Sequence, residues 1–401
     1  MKKYIEKITG RTIVQEICEA DCTSYYNADK ELVAEVYLHE DGAKDCTFYL
    51  ELLETEGRLT KQQLAPIVEQ VKQVFEQPDL VLVSIVEADD RYIVELRKQE
   101  PKHGVIVRGS GMDMTVNVSG QLEEVFVYAN DVDIIYPDMM ISKEEAARIF
   151  QEQQLVQLTI SGEHGWRYMY RQNFDLYGVA PNGNVRFWHD EPSMKGAGYE
   201  DLPEVEPVAD FDAYLISGRK GEIYHDEQED VARWRVDSEE LKTCDEQHYT
   251  RACRILKTLV GTKYVNYKLE VYPNLYEEID ISFDDSMQAY RFVYVLDEIA
   301  LEFYAVTVNM WKETNQIESV SYYHIPYDKL KELEKPKLTL EEANAIARNY
   351  VDAKLTLEKD VKKRNRQSFI YLLDYPASPT GGHIQYVDAA TGEIHWVDTG
   401  W

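Results

Sequence analysis

The residues that usually carry catalysis are scattered through this sequence of 401 residues. Four short motifs would mark a zinc protease, a phosphate-binding loop, a nucleophilic serine or a dinucleotide-binding turn. The sequence contains none of them: His-Glu-x-x-His, Gly-x-x-x-x-Gly-Lys-Ser/Thr, Gly-x-Ser-x-Gly and Gly-x-Gly-x-x-Gly are all absent. The nine histidines stand singly, so a catalytic triad would need residues that are distant along the chain. We therefore predict no catalytic residue and expect that the protein is not an enzyme.

Five cysteines and several acidic groups are the candidate metal ligands. Cys18, Cys22 and Cys46 with His39 have the composition of a zinc site, although such sites usually begin with closer cysteine pairs. Reduced, apolar thiols are the preferred interpretation, because the count is odd and the spacing irregular. The acidic groups do not follow the alternating aspartate pattern of a calcium loop; they are residues 131–133, 227–230 and 284–285. We predict no metal and no cofactor.

The charge of the chain limits its partners. Lys and Arg number 43 and Asp and Glu number 73, which gives a net charge of −30. A phosphate backbone would be repelled, so we expect no nucleic-acid partner. No apolar run approaches the roughly 18 residues of a membrane-spanning helix, so we expect no membrane insertion. The first residues lack the apolar segment of a secretory signal, so a cytoplasmic location is expected.

Tyrosine is unusually frequent, with 29 residues concentrated in predicted strands, for example Tyr264, Tyr267, Tyr272, Tyr276, Tyr290, Tyr294, Tyr322 and Tyr323. A tyrosine ring packs while its hydroxyl stays hydrated, so half-exposed sheets are the simplest explanation. The alternative is an aromatic sheet face that grips a protein partner. Trp188 and Trp396, at equivalent hairpin ends, could serve such a face or fill the junction between repeated units.

An internal repeat is the most informative feature of the sequence. A single core stops growing near about 250–300 residues, so repeated units are expected here. Residues 141–149 read ISKEEAARI and residues 338–346 read LTLEEANAI. In each segment Ser142 or Thr339 can cap a helix while Glu145 or Glu342 reaches back to the cap amide, which predicts two capping boxes.

Strands recur in the same order around these two helices. Before them, alternating segments predict strands with one buried face. After them, an aromatic strand leads to a hairpin whose turn contains Asn182-Gly183 or Thr391-Gly392, residues that accept positive φ. The sequence thus predicts a helix followed by a meander of strands in each half. The matching pairs are 91–94 with 291–294, 112–118 with 305–310, 121–125 with 316–320, 166–170 with 369–373, and 179–188 with 387–396.

One further helix is predicted earlier in each half. The first begins near Gln63, since Pro66 suits a first turn, and continues to Phe75. The second covers 252–259 and ends at Gly261 as a left-handed residue. Strands are expected after them at 80–86, 264–271 and 279–283. Residues 189–210, rich in Pro, Gly and acids, are expected to form a linker or long loop.

The repeated pattern resembles a known family. A helix that starts (Ile/Leu)-(Ser/Thr)-x-Glu-Glu-Ala, an aromatic strand and the closing segment VDAATGEI at 387–394 are similar to the PepSY-type domain. The repetition is similar to the YcdB/YcdC repeats of Bacillus-like bacteria. The match is best over 336–398 and looser over 139–188, where Pro181-Asn182-Gly183-Asn184 replaces the Ala-x-Thr-Gly-Glu portion.

This resemblance implies an α+β fold of tandem PepSY-like units, each a helix packed on an antiparallel sheet, in two duplicated halves. The expected units are 1–138 with an N-terminal extension, 139–190, 211–335 and 336–401, joined by a linker at 191–210. It implies no catalytic residues, and its suggested roles are binding or inhibition of peptidases and regulation at the cell envelope. The missing export signal argues against the peptidase role.

Three hypotheses of function follow, of which the third, a stand-alone cytosolic scaffold or immunity-type protein, differs from the preferred one only in its partner. The preferred one is a non-catalytic binding or regulatory protein that engages another protein through exposed sheet faces or edges, and this hypothesis includes a peptidase-inhibitor-like role. The alternative is an enzyme of unknown reaction with a site in the groove between the two halves, because two domains commonly create a cleft.

Overall fold

The computed structural model describes residues 1–38, 45–51, 58–128, 132–163, 165–188, 198–228, 231–238, 242–271, 286–360, 363 and 365–399. The chain divides into two compact units. The first contains Met1–Met140 and Leu355–Tyr371, and the second contains Ile141–Lys354 and Leu372–Trp401. The four predicted units are not tested by this division and stay a prediction.

The described residues form helices and strands in the following order. Up to residue 140 these are α1 (Lys2–Thr9), β1 (Gln15–Glu19), β2 (Cys22–Tyr26), β3 (Leu32–Leu38), β4 (Cys46–Leu50), α2 (Ala65–Val74), β5 (Val81–Ala88), β6 (Arg91–Arg97), β7 (Gly111–Asn117), β8 (Leu122–Tyr128) and β9 (Asp133–Ile135). Then come α3 (Lys143–Gln151), β10 (Val156–Ser161), β11 (Arg167–Gln172), β12 (Leu176–Val179), β13 (Val185–Phe187), β14 (Gly198–Asp201), α4 (Phe211–Ile216), β15 (Glu222–Gln228) and β16 (Val231–Asp237). The remainder are α5 (His248–Val260), β17 (Tyr267–Val271), β18 (Met287–Leu296), β19 (Ile299–Ala300), β20 (Val306–Trp311), β21 (Gln316–Tyr323), α6 (Tyr327–Lys331), α7 (Leu340–Arg348), β22 (Asp352–Lys359), β23 (Arg366–Asp374), β24 (Gly381–Asp388) and β25 (Ile394–Asp398).

Each unit contains one large sheet with the same internal strand order. The first runs β1-β2-β3-β4-β8-β7-β6-β5, and the second runs β14-β17-β18-β20-β21-β16-β15 with β19 beside β18. The series β5-β6-β7-β8-β4 therefore corresponds to β17-β18-β20-β21-β16. In each series a helix, α2 or α5, lies along the chain between the last strand named, β4 or β16, and the other four. The predicted α+β class is confirmed, and the recurring strand order agrees with a duplication.

Alternation along the strands determines which face of the first large sheet is buried. On β6, Tyr92, Val94 and Leu96 are buried and the residues between them face outward. The buried side chains pack against the stripe of α2, in which Val68 and Val71 recur at helical spacing. The helices thus cover one face of this sheet.

Two smaller sheets mix strands that follow α3 with strands that follow α7. One runs β10-β11-β24-β25, and Tyr170 of β11 stands opposite Val387 of β24. The other runs β13-β12-β23-β22, with β9 joining β23 in parallel. The predicted local meander is therefore wrong in its pairing: β11 pairs with a strand of the other copy and not with β12. Both copies carry similar apolar strands, so periodicity alone could not tell these partners apart.

Several local predictions need correction. Thr339 and Glu342 form the full capping box, whereas Ser142 caps α3 but Glu145 pairs with Arg148. A 3₁₀ turn with its own capping box, Lys61–Leu64, precedes α2. Another 3₁₀ turn, Gly261–Asn266, delays the predicted strand until Tyr267, and Gly261 has φ 57° and ψ −126°, which is not left-handed helical.

The predicted linker is also partly structured. Its residues Gly198–Asp201 form β14, which pairs with β17. Residues 189–197 and the predicted strand at 279–283 lie outside the described residues. Within the described part of the chain, no helix combines the length and apolarity needed to cross a bilayer.

Glu100 supports a small second core in the first unit. This core contains Val105, Val107, Leu357 and Phe369. The buried Glu100 carboxylate accepts hydrogen bonds from the backbone N–H groups of Lys102 (2.7 Å) and His103 (2.6 Å) and from the Tyr136 hydroxyl (2.8 Å). Burial raises the pKa of Glu100, but these hydrogen bonds outweigh it and leave the pKa lowered.

Glu100→Gln should destabilise the first unit by about 1–3 kcal/mol at pH 7, because charge-assisted hydrogen bonds are lost. Since the pKa of Glu100 is lowered by folding, its contribution is present above the pKa of the unfolded state and disappears as pH falls through the folded value. Urea titrations at pH 7 and pH 3 should therefore show the difference between wild type and variant shrinking in acid. Glu69→Gln, at an exposed ion pair, is the matched control. A difference independent of pH would contradict this role.

Candidate protein-binding edge and face

Strand β5 is an edge of the first large sheet. It reads VLVSIVEA, and β-branched residues favour the extended conformation. Leu82, Val83 and Val86 are 51%, 43% and 39% exposed. An exposed, apolar edge strand is a template for pairing with a strand of another chain.

A bulge shapes the exposed part of β5. Leu82 pairs with Leu96 and Ser84 pairs with Glu95, which leaves Val83 as the extra residue between them. Beyond the bulge, Val86 stands opposite the exposed Ile93 of β6. The edge therefore offers backbone groups together with an apolar row that an added strand could cover.

The other edges of the two large sheets carry more charge. In the described residues, β1 contains Glu16 and Glu19, β14 contains Glu200 and Asp201, and β15 contains Glu222, Asp226 and Glu227. Charged side chains on an edge oppose strand addition. On β5 the single acid, Glu87, is paired with Arg58 at 3.0 Å. β5 therefore carries the fewest acids of these four edges and is the least protected of them by charge.

The outward face of the same sheet presents aromatic rings. Phe48 and Leu50 of β4 are buried in the core, so Tyr49 between them points outward. Its ring meets Tyr37 edge-on at 5.6 Å between centroids, and Tyr49 is 47% exposed. On the neighbouring strand β8, the ring centroids of Phe126 and Tyr128 are 4.6 Å apart. An aromatic sheet face, the alternative considered from the tyrosine content, is therefore present on this side of the sheet.

Acidic groups surround these rings. Tyr49 stands opposite Glu35 on one side and Glu124 on the other, and Asp21 lies in the same shallow cleft as Tyr37. We define the acidic aromatic face as Tyr37, Tyr49 and Phe126 with Asp21, Glu35 and Glu124. No described Lys or Arg forms an ion pair with these three acids, whereas Glu95, Asp113 and Glu123 on the same sheet are paired with arginines.

The tyrosines of this face stay protonated at neutral pH. The hydrogen bond with Cys22, followed by the nearby Glu35 carboxylate, raises the pKa of Tyr37 to about 12. Burial and the adjacent Glu124 raise the pKa of Tyr49. The face therefore combines neutral phenol rings with carboxylates.

The structure separates the proposed zinc ligands. Cys18 stands opposite Thr23, and Cys22 stands opposite Glu19, so the two side chains point to opposite faces of the hairpin. Cys46 is buried, and all described cysteines are free thiols. Among the described residues, no three His, Cys, Asp or Glu side chains come together as a metal site. His39 and the acidic residues 131, 229–230 and 284–285 lie outside the described residues.

All six described histidines pack beside an aromatic ring, which favours structural roles for them. Their partners are Phe369 for His103, Trp234 for His225, Tyr290 for His248, Tyr322 for His324, Phe174 for His383 and Tyr386 for His395.

The predicted tyrosines and tryptophans have mixed positions. Tyr264, Tyr267 and Tyr294 are buried, so the half-exposed interpretation is wrong for them. Tyr272 and Tyr276 lie outside the described residues. The ring of Trp396 packs against the rings of Tyr350 and Tyr375, with centroids 5.4 Å and 6.1 Å away. The ring of Trp188 packs against that of Tyr177, with centroids 4.0 Å apart. Both tryptophans thus have intramolecular packing partners.

Sequence reasoning missed β5 as an edge and did not locate the acidic aromatic face. Residues 80–86 were predicted as a strand, but an edge position depends on pairings between distant segments. No prediction was made for the strands of residues 1–58. The alternation in Cys46–Leu50 (CTFYL) and Leu122–Tyr128 (LEEVFVY) is the signal that could have located the two outward aromatic rows.

Comparisons with known proteins give little further information. No family model matches the chain, and no curated protein matches it. Among solved structures, the C-terminal domain of Bacillus megaterium YpeB matches 43% of this chain and 85% of its own length. The sequence identity is 13% and the TM-score is 0.28. A likeness of this size supports no conclusion about function.

Proposed function

We propose that this chain is a non-catalytic protein-binding protein that adds a strand of its partner to the edge of β5. The observation that carries the proposal is the contrast between the exposed apolar residues of β5 and the acidic edges β1, β14 and β15. Backbone hydrogen bonds of the added strand would supply affinity, and the row of Val86 and Ile93 would select apolar side chains.

The PepSY-like and YcdB/YcdC-type interpretation belongs to this proposal. Helix-on-sheet units, the capping box at Thr339 and the turn at 388–392 support it. In that turn the Asp388 carboxylate accepts hydrogen bonds from the backbone N–H groups of Ala390 (2.8 Å) and Thr391 (2.9 Å), which explains the Asp-x-x-Thr-Gly spacing. A peptidase-inhibitor-like role and a cytoplasmic location stay predictions.

Val83→Lys should strongly weaken the interaction by placing a charge in the edge where the partner strand would lie. The experiment is affinity purification from the native cell with quantitative mass spectrometry, using wild type, Val83→Lys and Tyr224→Lys as baits. Tyr224 is exposed on the acidic edge β15, so its variant makes the same charge change on a different edge. We expect a protein retained by wild type and Tyr224→Lys and reduced at least about tenfold with Val83→Lys.

Hydrogen exchange on the purified complex then locates the contact. Backbone amides of Val81–Ala88 should become protected when the partner is bound. A partner that binds Val83→Lys as well as wild type, or that protects other amides and leaves β5 unchanged, would overturn the proposed function.

A further inference from the structure

The acidic aromatic face is a second surface, separate from the β5 edge. Strands β8, β7 and β6 lie between β4, which carries Tyr49, and β5. At about 4.8 Å per strand, Tyr49 is roughly 19 Å from that edge. An occupant of this face therefore makes contacts that strand addition at β5 does not supply.

The composition of the face determines the chemistry of its complement. Asp21, Glu35 and Glu124 carry negative charge without a cationic partner among the described residues, in a chain of net charge −30. Bringing like charges onto one face is unfavourable unless a cation neutralises them. Exposed phenol rings attract cations through their π faces. A flat cation that stacks on a ring and bonds to a carboxylate is the guanidinium of arginine.

The same sheet already contains this arrangement with its arginine in place. The Arg97 guanidinium lies over the Tyr128 ring at 4.8 Å and bonds to the Asp113 carboxylate at 2.6 Å. The Tyr128 hydroxyl donates to the same carboxylate at 2.6 Å. Tyr49 with Glu124 repeats the pairing of a phenol with a neighbouring acid, but no described arginine forms an ion pair with Glu124.

We propose that the acidic aromatic face binds an arginine-bearing peptide segment of a partner protein. One guanidinium stacks on Tyr49 and bonds to Glu124, as Arg97 does with Tyr128 and Asp113. Glu35, held by the hydroxyls of Ser24 (3.3 Å) and Tyr37 (3.4 Å), receives a second cation beside the cleft. Lysine fits less well, because its ammonium group cannot stack on an aromatic ring or form a bidentate pair of hydrogen bonds with a carboxylate.

Fluorescence anisotropy tests the proposal on the full chain. The probes are two labelled hexapeptides at physiological salt, one of alternating serine and arginine and one of alternating serine and lysine. We expect wild type to bind the arginine peptide more tightly than the lysine peptide. Tyr49→Ser should weaken the arginine peptide about five- to tenfold and the lysine peptide less than twofold.

Tyr224→Ser is the matched control, since Tyr224 is 52% exposed and its hydroxyl bonds to Glu222. It should leave both peptides unchanged, as should Val83→Lys at the β5 edge, so failure here is distinguishable from failure of the proposed function. Glu124→Gln provides a second variant, with circular dichroism to verify folding. Equal binding of both peptides, or equal losses in Tyr49→Ser and Tyr224→Ser, would show only diffuse attraction to an acidic protein and would overturn the proposal.

Discussion

Asn344→Ala is expected to lower the stability of the second unit by about 2–4 kcal/mol, because two buried backbone N–H groups lose their acceptor. Asn344 lies on α7 and is 3% exposed. Its side-chain oxygen accepts hydrogen bonds from the backbone N–H groups of Leu155 (2.7 Å) and Val156 (3.2 Å), where β10 begins. Its amide nitrogen donates to the Leu340 carbonyl at 2.9 Å. An alanine side chain has no polar atom, so all three backbone groups would lose this hydrogen-bond partner.

Native-state hydrogen exchange measures this effect locally. The amides of Leu155 and Val156 should exchange at least about 30-fold faster in Asn344→Ala, and a urea titration should show the loss of stability. Asn349→Ala is the control, since Asn349 lies exposed after the same helix and donates to the Ala345 carbonyl at 3.2 Å. We expect its effect to stay within about 0.5 kcal/mol. Similar effects of the two substitutions would refute the assigned role of Asn344.

Separating the two halves of the chain is expected to leave both incompletely folded. A polypeptide of residues 1–190 retains β10 and β11 but lacks β24 and β25, which complete their sheet. It also lacks Leu357 and Phe369 of the small core around Val105 and Val107. A two-stranded ribbon without its neighbours is at best marginally stable in water.

Mixing the two polypeptides, 1–190 and 198–401, measures this dependence. Alone, each should lack hydrogen-exchange protection in the strands of the smaller sheets. Mixed, they should associate and regain protection at β11 and β24, where Tyr170 stands opposite Val387. Two halves that show full protection alone and do not associate would contradict the strand pairing described here.

The sequence predicted features that depend on neighbouring residues and missed features that depend on distant ones. The capping box at Thr339 is confirmed because its partner, Glu342, lies three residues away. The buried alternation of β7 and β20 is also local, and both strands form as expected. The pairing of β11 with β24 could not be predicted, because both repeats contain apolar strands of similar length. Only tertiary packing selects which of these strands becomes the partner of β11.

Small differences between the copies were equally hard to interpret from the pattern alone. In the aligned helical segments, Asn344 stands where the first copy has Ala147. Sequence reasoning placed both on the helix but could not assign Asn344 its bonds to residues almost 190 positions earlier. For the candidate surfaces, the tyrosine excess indicated an aromatic face, but the position of Tyr49 between two acids depends on strand register.

The pairing of β11 with β24 affects how the chain matures on the ribosome. When residues 156–172 are synthesised, their partners at 381–398 lie about 200 codons downstream. At roughly 5–20 residues per second, the early ribbon waits on the order of 10–40 s. During that interval its apolar strands are open to chaperones or to the same ribbon on a neighbouring nascent chain. Synthesis rate and molecular crowding on polysomes should therefore influence the yield of native protein more than for a chain whose repeats close one by one.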